Sequence, residues 1–198
     1  MAESPRVVLW QSLTGPGTDW CELSQIGDSW RLAGTVQTVA GAVPAAIDYE
    51  VDVDVEWRTR RVMVEATIGS AASIELGFRV NERGQWYPER YPDAAASWVH
   101  PAELTGLADI DLAFTPATNI LPIRRLQPAI GETVAVTAAW LRFPELIVEP
   151  LPQTYHRLDD RRYHYESGGG EFTAELLVDD WGLVVHYEGL FERVAASG

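Results

Sequence analysis

Between Ile47 and Trp57 the chain alternates without a fault. Ile47, Tyr49, Val51, Val53, Val55 and Trp57 fall on one parity, and Asp48, Glu50, Asp52, Asp54 and Glu56 on the other. An extended strand is the backbone state that sends period-two residues to opposite faces. At ~3.3 Å per residue this run predicts a strand about 36 Å long, enough to cross a large sheet. Carboxylates on the acidic face then stand ~6.7 Å apart, where neighbours repel by only ~0.6 kcal/mol in water but prohibitively in a dry interior. The acidic face is therefore expected to be wet, and the face carrying Tyr49 and Trp57 to be turned inward. A calcium site is not expected there, because oxygens around one ion lie within ~5 Å of each other.

Further strands are predicted at 30–39, 62–68, 73–80, 109–114, 132–143, 146–155, 162–166, 172–178 and 183–187, separated by turn material such as Asn81-Glu82-Arg83-Gly84 and Gly168-Gly169-Gly170. The triple glycine reads as the turn of a hairpin from Tyr163 to Val178. Trp86 and Tyr87, followed by Pro88 and near Tyr91, fall in a loop-like stretch and are the candidates for exposed aromatics, with buried anchoring the equal alternative. The 132–143 run is apolar on both parities, with Val134, Val136, Ala138 and Trp140 on one side and Ala135, Ala139, Leu141 and Phe143 on the other. That pattern predicts a central, covered strand. Only Asp93–Trp98 reads as the start of a short helix. Strands follow strands without βαβ alternation, so the fold class is all-β or mostly β, a curled antiparallel sheet forming a half-barrel or roll. No linker or repeat divides residues 1–198, and a single domain is expected.

Composition sets outer limits. The 198 residues carry a net charge of −14, and all 15 basic residues are arginine. A chain this acidic repels polyphosphate, so a nucleic-acid partner is not expected. No apolar run approaches the ~18 residues of a membrane span, and no integral membrane segment is expected. The first residues contain no cationic leader followed by an apolar stretch, and Cys21 has no internal partner, which together predict a cytoplasmic protein. The four histidines show no ligand spacing, so no metal or other cofactor is expected.

The stretch from Asp109 to Leu126 raises the functional question. It sets Arg124 and Arg125 among Ile120, Leu121, Ile123 and Leu126, after Asp109 and Asp111, with prolines at 116 and 122 that discourage a long helix or a central strand. A guanidinium in apolar surroundings costs several kcal/mol unless an anion meets it. Two readings stand: Asp109 and Asp111, which share a strand face, pair with the arginines, or the arginines clamp an anionic or sugar headgroup. Adjacent side chains diverge, so one arginine can be structural and the other functional.

This stretch also carries a resemblance. With Trp57-Arg58-Thr59-Arg60 upstream and Gln153-Thr154-Tyr155, Tyr163-His164-Tyr165-Glu166, Phe172-Thr173-Ala174-Glu175-Leu176 and Tyr187…Arg193 downstream, it resembles the signature of a bacterial glycolipid-binding family across nearly the whole chain. One departure is Ala108, where the family commonly has a cysteine. The resemblance implies a half-barrel like that of lipoprotein-localisation carriers, capped by the Pro/Arg segment, with a lipid or glycolipid as partner held on the concave apolar face, where Phe172 and Tyr187 are among the candidates to line an acyl chain. On that reading the ligand-binding residues are Arg124, Arg125, Asn119, Trp57, Arg60, Tyr49, Trp140 and Tyr155, and no residue is assigned a catalytic role. An enzyme acting on a small carbohydrate or lipid ester, and a non-catalytic protein-interaction module, are the competing readings. Oligomeric state is left open.

Overall fold

The computed structural model describes residues 4–90 and 102–198. The first half of the chain forms β1 (Arg6–Ser12), β2 (Thr18–Ile26), β3 (Ser29–Ala40), β4 (Val43–Val53), β5 (Thr59–Ile68), β6 (Ile74–Val80) and β7 (Trp86–Arg90). The second half forms β8 (Asp109–Leu112), a 3₁₀ turn (Ala117–Asn119), the helix α1 (Ile120–Leu126), then β9 (Thr133–Leu141), β10 (Val148–Arg157), β11 (Arg162–Ser167), β12 (Phe172–Val178), β13 (Val184–Tyr187) and β14 (Phe191–Ser197).

All fourteen strands belong to one sheet in the order β7-β6-β5-β4-β3-β2-β1-β14-β13-β12-β11-β10-β9-β8. The chain starts in the middle, meanders to one edge, crosses to the opposite edge and meanders back, so that β1 and β14 pair at the centre, Val8 opposite Ala196. Neighbours are antiparallel except β8 and β9, which run parallel because residues 113–132, including α1, carry the chain back over the sheet. The sheet is not closed, but its far edges meet through irregular segments. The Thr59 amide donates to the Ala108 carbonyl at 2.8 Å, and the Trp86 indole N–H donates to the Leu107 carbonyl at 3.1 Å. The result is the curled, mostly β architecture expected.

The concave side is filled by one continuous core. Trp10, fully buried at the centre, anchors it by donating its indole N–H to the Val184 carbonyl at 2.8 Å. Val51, Val53, Leu76, Phe78, Leu176 and Leu183 all pack into this core. The acidic face of β4 is outside and wet, but it is not bare. Arg31 bridges Glu50 and Asp52, Arg61 bridges Glu50 and Glu89, and Thr35 donates to Asp48. Cross-strand pairing thus offsets much of the row's self-repulsion.

Several expectations need correction. The long strand stops at Val53, because Asp54 opens a turn whose carboxylate accepts from the amides of Glu56 and Arg58. Val55 is exposed, and Trp57 reaches the core from a left-handed backbone, φ 64°. β9 is next to the edge rather than central, and only its second half is buried. Trp86 is a buried strand residue, although Tyr87 beside it is exposed. A helix forms at Ile120–Leu126, where none was expected. Pro122 sits in its first turn, where a missing amide hydrogen costs nothing, and Gln127 closes it in the left-handed region, φ 44°, donating to the Ile123 carbonyl. β1, β2 and β14 are additional strands. The helix expected at 93–98, Tyr91 and His100 lie outside the described residues.

Candidate functional site

Asp109 and Asp111 leave β8 on the same face, and the structure separates their fates. Asp109 is buried against Arg125, which grips it with Nε to Oδ1 at 3.1 Å and Nη2 to Oδ2 at 2.5 Å. Asp111, one turn of the pleat further on, accepts a hydrogen bond from the Gln153 side-chain amide at 2.5 Å and lines a cavity of about 360 Å³. That volume lies in the usual range for small-molecule sites.

The cavity exists because the crossover returns over the last strands without filling the space above them. Ala113, Thr115 and Asn119 of the crossover form one rim. Trp140, directly opposite Asp111 in the parallel β8/β9 register, forms a wall. Tyr165 of β11, Phe172 of β12 and Tyr187 of β13 form another, with centroids 6.0–6.2 Å apart, and Phe191 completes the aromatic lining. Ser167 and Glu171, next to the glycine turn at 168–170, supply further polar atoms. None of the described lining residues carries a positive charge.

A second layer fixes this wall. The Tyr155 hydroxyl donates to Asn119 Oδ1 at 3.1 Å and lies 3.3 Å from Gln153 Oε1, while its ring stands edge-on to Tyr165. Thr115, at the rim, donates to the buried Asp19 carboxylate and lies 3.3 Å from the Tyr49 hydroxyl, which also reaches Asp19. Burial raises the pKa of Asp111 to about 6, against the pull of Gln153. Burial likewise pushes the Tyr165 and Tyr187 hydroxyls up, and the nearby Asp111 charge adds to both. These tyrosines are neutral donors and acceptors at any ordinary pH.

The residues singled out from the sequence therefore fall into three places. Asn119 and Trp140 line the cavity, with Tyr155 and Tyr49 one layer behind. Arg125 is committed to Asp109. Arg124 and Trp57 belong to a separate cluster in which Trp30 stacks on Trp57 at 5.6 Å and meets Trp181 edge-on at 5.3 Å. The Arg124 guanidinium lies 5.1 Å from the ring centres of both Trp57 and Trp181, and that of Arg6 lies 4.0 Å from Trp181. Arg60, near the start of β5, is held by Asp54 at 2.6 Å and the Asn81 carbonyl. None of these arginines is among the residues lining the cavity. Sequence reasoning named Asp111 only as an arginine's partner, and named Phe172 and Tyr187 only as surfaces for an acyl chain. The apolar parity of Tyr163 and Tyr165 in β11 was the remaining signal.

A wider groove of about 410 Å³ lies on the outer face of β4–β7, but Glu50–Arg61 and Glu75–Arg90 ion pairs floor it, so it reads as solvated surface. His156 and His164 sit opposite each other in β10 and β11. Among the described residues no group of three histidine, cysteine or acidic side chains is placed to hold a metal ion.

Comparison with known proteins agrees with this architecture. Residues 7–193 match the family described as "Putative glycolipid-binding". The crystal structure of a DUF1089 family protein from Pseudomonas aeruginosa is similar at 30% identity, with a TM-score of 0.75, covering 89% of this chain and 92% of that one. Among curated proteins, none matches.

Proposed function

The chain belongs to this glycolipid-binding family, and from that premise we propose that the cavity between β8, the crossover and β11–β14 receives the headgroup of an amphipathic ligand without transforming it. One observation carries the reading: five aromatic side chains share with the half-buried carboxylate of Asp111 the lining of a space of about 360 Å³. Aromatic faces stack on the C–H faces of sugar rings, and the acceptors Asp111, Asn119 and Ser167 suit hydroxyl donors. The ligand's apolar portion leaves past Phe172, Leu190 and Phe191, which border the same space. The core behind the cavity is packed with side chains, and on this reading the headgroup enters the cavity while the tail lies toward the mouth.

The expectation of an arginine at the headgroup takes a different form here. Arg125 serves Asp109, and Arg124 serves the tryptophan cluster, so both support the crossover that shapes the rim. The test is native mass spectrometry of gently purified protein, followed by titration with octyl glucoside below its micellar concentration while tryptophan fluorescence is followed. A bound amphiphile and a saturable signal that weakens in Trp140→Ala support the reading. No bound species and no signal with any alkyl glycoside would end it.

A catalytic reading is favoured by one observation: Asp111 and Glu171 line the same cavity, and glycoside hydrolysis uses two carboxyl groups. Release of nitrophenol from aryl glycosides, abolished in Asp111→Asn, would replace the binding reading with that one.

A further inference from the structure

The two aspartates of β8 face the same way, yet only one is neutralised. Asp109 receives a guanidinium through two hydrogen bonds, whereas the hydrogen-bond partner of Asp111 among the described residues is the uncharged Gln153 amide. A half-buried carboxylate whose partner is neutral carries a desolvation cost, and a cation brought alongside recovers part of it. The surroundings of Asp111 are suited to such a cation. Trp140 lies beside it across the β8/β9 register, and Tyr165, Phe172, Tyr187 and Phe191 add four more aromatic rings to the lining. The negative face of an aromatic ring attracts cations, most strongly where water is excluded. Glu171 adds a second carboxylate to the lining, and the chain carries a net charge of −14. Both carboxylates of the lining and the net charge of the chain disfavour an anionic headgroup and favour a positive one.

We infer that the cavity selects amphiphiles whose headgroup bears an ammonium group, received by Asp111 within the aromatic wall. This rests on the cavity being the ligand site, and it narrows the class: neutral sugars bind, amino sugars or other ammonium headgroups bind better, and uronic acids or phosphate-terminated headgroups are rejected. Selectivity then comes from one carboxylate, while affinity for the rest of the ligand comes from the rings and the mouth.

The test titrates the full chain near neutral pH with four amphiphiles of equal tail, all below their micellar concentrations: octyl glucoside, octyl glucosaminide, octyl glucuronide and octyltrimethylammonium. The glucosaminide is expected to bind about tenfold more tightly than the glucoside, with the glucuronide weakest. Asp111→Asn is expected to bring glucosaminide and glucoside to within about twofold of each other while leaving glucoside binding in place. Octyltrimethylammonium binding as tightly as the glucosaminide assigns recognition to the charged group alone; weaker binding assigns it to an amino sugar. Because Asp111→Asn can disturb folding through Gln153, the wild-type chain is also titrated near pH 5, where protonation of Asp111 is expected to narrow the same gap. Equal affinity for glucoside and glucosaminide, or a gap that survives both Asp111→Asn and the drop in pH, overturns the ammonium inference and leaves the cavity reading intact. Failure of all four to bind removes the cavity reading itself.

Discussion

Arg125 and Asp109 form a two-point clamp between α1 and β8, Nε to Oδ1 at 3.1 Å and Nη2 to Oδ2 at 2.5 Å, with the Asp109 side chain only 2% exposed. Burial raises the Asp109 pKa and the guanidinium pulls it back, so the carboxylate's charge depends on its partner. The clamp holds the crossover against the edge strand, and the crossover supplies Ala113, Thr115 and Asn119 to the cavity rim. Of the two readings open for Arg125, pairing with Asp109 is the one the folded chain adopts, and that pair borders the cavity next door.

Removing one half of such a pair strands the other. Arg125→Ala is expected to destabilise the fold by about 3–5 kcal/mol, read as a lowered midpoint in urea. Asp109→Asn in the same chain should recover part of that loss, because the orphaned charge is gone. If Arg125→Ala instead leaves the midpoint in place while abolishing octyl glucoside binding, the arginine touches ligand and the structural role assigned to it is wrong.

How far the residues alone reveal this fold depends on where the solvent lies. β4 was legible because one face is wet and the other dry, so Asp48 to Asp52 and Ile47 to Val53 separate cleanly by parity. The β11–β12 hairpin was legible because Gly168, Gly169 and Gly170 all adopt positive φ at its turn. α1 was hidden because Pro122 reads as a breaker until its place in the first turn is known. The β1–β14 pairing was invisible for a different reason: it joins Val7 to Ser197, and no local pattern reports so distant a register. The cavity was the least legible feature. Asp111, Trp140, Tyr165, Phe172 and Tyr187 come from five strands, and only the curl of the sheet brings them together.

Gly34 is required by close approach rather than by its backbone angles. A Cβ there would stand 2.4 Å from Tyr49 Cζ and 2.6 Å from the Trp20 carbonyl oxygen, since the Tyr49 ring crosses directly over the glycine on its way to Asp19. Gly34→Ala is expected to cost about 1–3 kcal/mol in thermal or urea unfolding. A double substitution, Gly34→Ala with Tyr49→Phe, should not restore stability, because the ring and the Trp20 carbonyl both remain. Restoration would mean that the hydroxyl alone was the obstacle.

Trp140 is half-buried, stands beside Asp111 and has the Arg142 guanidinium 5.4 Å from its ring centre. Trp140→Ala is expected to weaken octyl glucoside binding about tenfold while lowering stability far less than a core tryptophan such as Trp10 would. Calorimetric titration beside a thermal melt separates the two effects. A large drop in melting temperature with unchanged affinity would show that the indole packs the sheet and takes no part in the site.

Asp19 gives the fold a pH dependence of unusual sign. It is 1% exposed on β2, opposite Trp10 of β1 and Val36 of β3, and it faces the Tyr49 hydroxyl from β4, the Thr115 hydroxyl from the crossover and the buried Cys21 nearby; no cation is among these groups. Burial raises its pKa from 3.8 to about 7, although both hydroxyls favour the charged form. The folded chain therefore holds this proton across a window in which the unfolded chain has released it. Stability is greatest below the unfolded pKa, falls as pH rises between about 4 and 7, and levels off above that, with a span on the order of a few kcal/mol from this group. Asp109 and Asp111 slope the same way, so the assignment needs a difference measurement. In Asp19→Asn, which keeps an acceptor for Thr115, the urea midpoint is expected to lose most of its decline between about pH 5 and pH 8 and to exceed the wild type at the upper end. A variant whose midpoint follows the wild-type curve in parallel would place the titration elsewhere, and a wild type that gains stability over that interval would reverse the sign.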